Sequence, residues 1–254
     1  LLLFVFLGTP REKKGSEYSN RSFSWQEVAA GFSVGRYELG SETKLLKSEV
    51  LLVRIDPVKY SIQAVLASEI GLPITDLRTL TLAAKGFAGI NSHFFDQSGK
   101  PLGLLVRNGK KLNKMHRGGK LLTGVFLLKD NKPSIVSRDS FAEKEAQLAL
   151  QAGPIVIVNG EAVRLKVPVS SSRRSGVAVT KQGEVILYAT LLRFPGASLQ
   201  QIQQMLLDPA LDVKDALNLD GGGSSQLFIK KNKALADDTL ISGGDPVPVG
   251  LIVK

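Results

Sequence analysis

The chain has 254 residues, with 33 Lys plus Arg, 23 Asp plus Glu, two His and no Cys, for a formal charge of +10. The absence of Cys excludes disulfides, thiol catalysis and Cys-bound metal, and two His exclude a His-rich metal centre. The basic balance suits polyanionic partners, but the densest stretch, from Arg107 to Lys120, has no aromatic residue to stack on bases. It reads as a solvated basic loop rather than a nucleic-acid groove.

Residues 1–8 are apolar, yet far short of the roughly 20 residues that a bilayer span needs. They read as the trailing part of an export signal or as an N-terminal anchor, in preference to a buried first strand. Residues 9–24 are polar and read as linker. The expected organisation is therefore an export remnant or anchor plus linker over 1–24 and one domain over 25–254. That predicts an exported protein, periplasmic or extracellular, tethered to a membrane where the segment is retained.

Residues 49–55 and 60–66 read as paired strands around Asp56-Pro57. Thr75 is the expected N-cap of a helix carrying Leu77, Leu80 and Ala84 and ended by Gly86. Strands are expected over 87–95, 103–106 and 121–128. Ser140 and Glu143 have capping-box spacing and predict a short helix through Ala146, Leu148 and Leu150, broken at Gly153-Pro154. Residues 155–158 form a strand, followed by an Asn159-Gly160 hairpin turn. Strands over 175–180 and 184–190 pair with each other. Ser198 and Gln201 then cap a second helix, with Leu199, Ile202, Met205 and Leu206 on its apolar face and Asp208-Pro209 at its end. Strands at 217–220, 226–229 and 249–253 complete the chain. Strands outnumber helices and hairpins dominate, which predicts an α+β domain with a mixed, mostly antiparallel sheet flanked by helices.

Four stretches could carry chemistry. In Leu219-Asp220-Gly221-Gly222-Gly223-Ser224-Ser225 a strand delivers a carboxylate, three Gly and two hydroxyls. Consecutive Gly are tolerated where backbone takes positive φ or approaches a ligand closely. Their N–H groups can line an anion nest, and a plain hairpin turn is the competing reading. In Asn91-Ser92-His93-Phe94-Phe95 the Asn and His lie two apart in an apolar strand and share a face. Asn91 is then a core hydrogen-bonding post or a substrate ligand. Arg173-Arg174 precedes a buried strand and could offer a guanidinium fork to phosphate, or sit in a solvated loop. Gln151 stands beside Gly153-Pro154, which alone is a structural stop.

Taken in order, these four stretches resemble the signatures of the phosphodiester glycosidase family, over roughly residues 48–254. They correspond to that family's Asn-Gly-x-Phe-Phe strand, Gln-x-Gly-Pro turn, Arg-Ser/Thr-x-x-Gly strand entry and Leu-Asp-Gly-Gly-Gly-Ser block. Pro246-Val247-Pro248 and the strand after it resemble the closing strand. Ser92-His93, Ala178 and Asp245 depart from the pattern, the last where the family often has Arg.

The resemblance implies hydrolysis of the bond between a sugar's anomeric carbon and a phosphodiester oxygen, on a phosphosugar or envelope glycan. Asp220 would be the essential carboxylate beside an oxocarbenium-like transition state. Arg174 and the backbone of Gly221, Gly222, Gly223 and Ser224, with the Ser225 hydroxyl, would hold the phosphate. Asn91 and Gln151 would orient sugar hydroxyls or an acetamido group, and His93 would serve as an acid or orient water. Asp96, Glu161 and Asp245 are candidates for a second carboxylate. No cofactor is expected, and no dense carboxylate loop demands a divalent ion beside Asp220. The rival reading is a non-catalytic glycan- or envelope-binding module on the same fold.

Overall fold

The computed structural model describes residues 23–40, 48–142, 146–166, 169–191 and 196–254. The export and linker expectations fall almost wholly outside these residues. No described helix is long and apolar enough to cross a membrane.

Along the chain, strands β1 (Gln26–Ala29) and β2 (Phe32–Glu38) form a hairpin, followed by β3 (Glu49–Ile55) and β4 (Ile62–Leu66). Helix α1 (Leu77–Ala83) leads into β5 (Ala88–Asn91). Next come the hairpins β6 (Leu105–Arg107) with β7 (Lys110–Asn113), and β8 (Gly124–Lys129) with β9 (Lys132–Ser137). Strands β10 (Leu148–Ala152), β11 (Ile155–Val158) and β12 (Glu161–Ala162) precede the pair β13 (Ser175–Thr180) and β14 (Val185–Thr190). Helix α2 (Leu199–Leu206) is followed by β15 (Val213–Asn218), β16 (Gln226–Ile229), β17 (Thr239–Ser242) and β18 (Val249–Val253).

These strands build three sheets in which every pairing is antiparallel. Their orders are β1-β2-β3-β14-β13-β15-β11-β12, β7-β6-β10-β8-β9 and β17-β16-β5-β18-β4. Strand alternation explains the layers. Leu51, Val53, Val177, Val179 and Leu187 point from the large sheet into a core shared with Ile90, Leu251, Phe126 and Leu150 of the two small sheets. Their neighbours Val50, Leu52, Ala178, Ile186 and Tyr188 point the other way, against Leu199, Ile202, Met205 and Leu206 of α2. Helix α1 covers the outer face of the third sheet, with Leu77 and Leu80 on Phe228 and Ile252.

The expected α+β class is therefore corrected. Among the described residues two short α-helices lie against a fold made of three antiparallel sheets; the main core sits between the sheets, and each helix covers a smaller cluster on an outer sheet face. The expected helix through Leu148 and Leu150 is strand β10. Every one of its five residues is buried between β6 and β8, and burial on both faces removes the period that separates strand from helix. Glu143 of the proposed capping box lies outside the described residues. Strands β3 and β4 do not pair with each other: β3 joins β2 and β14, while β4 joins β18. Helix α1 is capped by Asp76, which accepts from Thr79 N at 2.9 Å, because Thr75 is bridged to Val247 instead.

The α2 capping box forms as its spacing predicts, with Ser198 and Gln201 each accepting from the other's backbone N–H, at 3.2 and 2.9 Å. The Ser198→Ala variant should lose about 1 kcal/mol of stability in denaturant unfolding.

Candidate active site

Strand β15 ends at Asn218, and its pairing with β13 carries past both strand ends. Leu219 N donates to Ser175 O at 2.9 Å, and Gly222 N to Arg173 O at 3.0 Å. Asp220 sits in this extension, at the junction of the large sheet and the third sheet. Its own N–H donates to Ser92 O at 3.3 Å. Its carbonyl accepts from Asn91 Nδ2 and from Ser175 Oγ, both at 2.7 Å. The Asn91 amide also accepts from Gln226 N at 3.0 Å through Oδ1. Gln226 in turn accepts from Leu77 N at 2.8 Å and donates to Asp245 O at 2.7 Å. One chain of hydrogen bonds thus links the start of α1, the end of β5, the Asp220 backbone and the 242–245 loop.

The Asp220 side chain is mostly buried. Burial raises its pKa from 3.8 to about 6, helped by the charge of Asp245 and opposed by hydrogen bonds from the Ser224 side chain and Gly221 N. Gly223 has no side chain for a geometric reason: a Cβ there would run into the Asp245 carboxylate. Gly243 is equally constrained, since its Cβ would meet the Gly223 carbonyl. Two glycine turns therefore interlock, which brings Asp245 beside Asp220.

The loop amides do not form the open nest expected of them. Gly221 N faces the Asp220 carboxylate and Gly222 N is bound to Arg173 O. Ser224 N and Ser225 N close a tight 3₁₀ turn onto Gly221 O and Gly222 O, at 3.2 and 3.3 Å. Only the Gly223 N–H is left without a partner among the described residues of this loop. The Ser225 hydroxyl is buried and unpaired, as are Asn218 Oδ1 and Arg173 Nε.

Two expected ligands, Asn91 and Gln151, and the expected acid or water-orienting residue, His93, have their polar atoms bonded within the protein. Asn91 is fully buried and both ends of its amide are taken by backbone, so it is the post rather than the ligand. Gln151 is also fully buried. Its Oε1 accepts from Leu104 N and His116 N, and its Nε2 donates to His116 O and Leu122 O, between 2.6 and 3.0 Å. That uses all four of its hydrogen-bonding positions. His93 is buried with Nε2 at 3.1 Å from Leu104 O and Nδ1 at 3.1 Å from Ser92 Oγ. A carbonyl only accepts, so Nε2 carries the proton. Burial lowers the His93 pKa to about 4, against a smaller opposing effect of the Leu104 bond. A neutral ring with both nitrogens engaged is no acid for a substrate at neutral pH.

Arg174 and Arg173 point to different places. Arg174 donates from Nε to Ala197 O at 3.0 Å and from Nη2 to Ser170 O at 2.6 Å, and burial lowers its pKa. Arg173 lies on the side of Ser175; its carbonyl accepts from Gly222 N of the glycine turn, and its Nη1 donates to Ser242 O, next to the turn that interlocks with it. Period two in the extended segment was the signal for this, because it puts 173 and 175 on one side and 174 on the other. Of the candidate second carboxylates, Asp96 accepts from Ser98 and Lys100 within its own turn, and Glu161 lies on β12 at the edge of the large sheet. Asp245 is the one that bears on Asp220.

Comparison with known proteins gives the same region a family. The family model described as phosphodiester glycosidase matches residues 85–254. A protein of Escherichia coli (strain K12), described as uncharacterized protein YigE, is 36% identical over 106 residues, which is 38% of this chain and 42% of that protein. The match thus spans less than half of that relative. Among solved structures, the catalytic domain of zebrafish N-acetylglucosamine-1-phosphodiester alpha-N-acetylglucosaminidase, auto-inhibited by its pro-peptide, superposes with a TM-score of 0.67 at 17% identity. The match covers 92% of this chain and 88% of that one. A hypothetical protein from Synechocystis gives 0.61 at 17% identity, covering 92% and 64%. These two likenesses concern the fold. The family match covers Asn91, Arg173, Asp220 and Asp245 together, and the chain belongs to the phosphodiester glycosidase family.

Proposed function

We propose that this protein hydrolyses a sugar 1-phosphodiester, and that Asp220 is the carboxylate on which the reaction depends. The observation that carries the reading is Asp220 itself: a mostly buried carboxyl, its backbone pinned from two sheets, with its pKa raised to about 6. Perturbed carboxyls held rigidly beside a second carboxylate are what acid–base and glycosyl chemistry require.

In the reaction the bond from the anomeric carbon to the phosphate oxygen breaks and a phosphate monoester leaves. The anomeric carbon becomes cationic, and ionised Asp220 faces it. A phosphate monoester is a good leaving group, so cationic and N–H donors aid it more than a strong general acid does. Arg173 and the free Gly223 N–H are the groups at the turn for this role, in place of Arg174. Water adds to the anomeric carbon and gives its proton to Asp245. Asn91, Gln226 and Ser175 act through Asp220, as positioning residues. An exported protein acting on an envelope glycan is the biological setting this chemistry suits.

The test uses synthetic sugar 1-phosphodiesters, with release of free sugar as the readout. The Asp220→Asn variant should lose about a thousandfold or more in kcat with its fold intact. In wild type, kcat/KM should rise as pH rises through about 6, where Asp220 ionises. A protein that binds these glycans while wild type and Asp220→Asn show the same trace turnover would instead be a binding module.

Arg173→Ala should lower kcat/KM by about a hundredfold, whereas Arg174→Ala should act mainly on thermal stability.

The same carboxyl makes a stability prediction. Its pKa is raised on folding, so folding loses stability as pH climbs from the unfolded value of 3.8 through about 6. Above that window Asp220→Asn should be more stable than wild type by up to about 3 kcal/mol. In denaturant titrations the gap should close below pH 3.8.

A further inference from the structure

An open cleft of about 380 Å³ lies far from Asp220 along the strands. Register fixes where it is. Val253 stands opposite Ile62 and Ala88 at the cleft end of the third sheet, while Gly250 stands opposite Asn91 at the Asp220 end. In the neighbouring sheet Leu148 of β10 borders the cleft, and Gln151 lies toward the other end. Three connections converge on it: the segment before β4, the β6–β7 turn and the β8–β9 turn.

The lining has a distinct chemistry. Gln63, Asn108, Asn131 and Gln147 contribute four side-chain amides, none hydrogen-bonded among the described residues. Asn108 and Asn131 are held in place by tight two-residue turns, at φ 51° and 58°. Tyr60 contributes a half-buried ring packed against Phe32 and Phe87, with centroids 5.9 and 5.2 Å away, and its hydroxyl has no partner among the described residues. Among the described residues Arg107 is the one charged side chain in the lining, and it is ion-paired with Glu69. Uncommitted amides offer donors and acceptors side by side, as sugar hydroxyls demand. A fixed aromatic ring offers an apolar face for the C–H side of a pyranose. With Arg107 paired to Glu69, the described lining offers no unpaired cation to phosphate. The volume is at the small end of ordinary ligand sites.

We propose that this cleft is a second, non-catalytic site that binds a neutral oligosaccharide. It goes beyond the hydrolase reading and does not depend on it, because the two sites share no lining residue. An extended peptide added along the β4 edge is the alternative occupant, and the test includes it.

The experiment records amide shifts of isotopically labelled full chain on titration with triacetylchitotriose, cellotriose and maltotriose, and separately with an unstructured neutral peptide. It compares wild type, Asp220→Asn and the double variant Gln147→Ala with Asn131→Gly. Both positions of the double variant are exposed, and Gly accepts the positive φ at 131, so the fold should hold. The expected result is millimolar binding of at least one trisaccharide, with shifts at residues 60–63, 107–109 and 147. Affinity should be unchanged in Asp220→Asn and at least tenfold weaker in the double variant. The proposal is overturned if no trisaccharide binds, if shifts gather around residues 220–224, or if the double variant binds as wild type. It is equally overturned if only the peptide shifts the cleft residues.

Discussion

The site depends on one side-chain amide. Asn91 donates to the Asp220 carbonyl and accepts from Gln226 N, both inside the protein. A buried amide left half-paired would cost about 1–3 kcal/mol, so the two bonds hold or fail together. They fix the end of β5 to the entry and the exit of the same glycine-rich turn. Ser175 reaches the same carbonyl from β13 in the large sheet, so the backbone of Asp220 is set by two sheets at once. The position of the carboxyl is therefore a property of the sheet junction rather than of a loop.

That rigidity explains how a mostly buried carboxyl is tolerated. Burial and the charge of Asp245 both disfavour its ionised form, and among the described residues no ion pair cancels them. It supplies two weaker hydrogen bonds, from Ser224 and Gly221. The carboxyl stays because the backbone that carries it cannot move away to water. Stability is given up at this point and recovered across a core that three sheets share. The glycines make the approach feasible: a side chain at 223 or 243 would separate the two turns and take Asp245 away from Asp220.

Much of this was legible in the sequence, and the reasons for the rest are specific. Signals that act within a few residues were reliable. The Ser198–Gln201 box formed, and Asn159 and Gly160 both take the positive φ that their turn requires. Asn108-Gly109 carries the same turn signal and opens strand β7, which composition alone read as a basic loop. Signals that depend on tertiary context failed. Strand β10 is buried on both faces, so its apolar run could not be told from a helix. Asn91 and Gln151 were recognisable as polar residues in apolar surroundings, but sequence could not say whether backbone or substrate would satisfy them. Of two adjacent arginines, the one facing the turn could be chosen only by counting alternation back from Ser175.

Asp245 places a second carboxylate beside Asp220, and that changes the balance of charge at the site. On the proposed reading, an Arg there would add to the grip on the phosphate in both ground state and transition state. An Asp instead adds negative charge beside Asp220, where positive charge develops on the sugar only as the bond breaks. Binding that is equal in both states does not raise kcat, whereas an interaction that strengthens in the transition state does. On that reading, Asp at 245 favours the cationic transition state over tight ground-state binding of the phosphate. Arg173 is tied to the Ser242 carbonyl beside the interlocked turns, which makes it the cation proposed for the phosphate. On the proposed reading the two features belong together: with Asp at 245, the phosphate would be held from the 173 side of the turn.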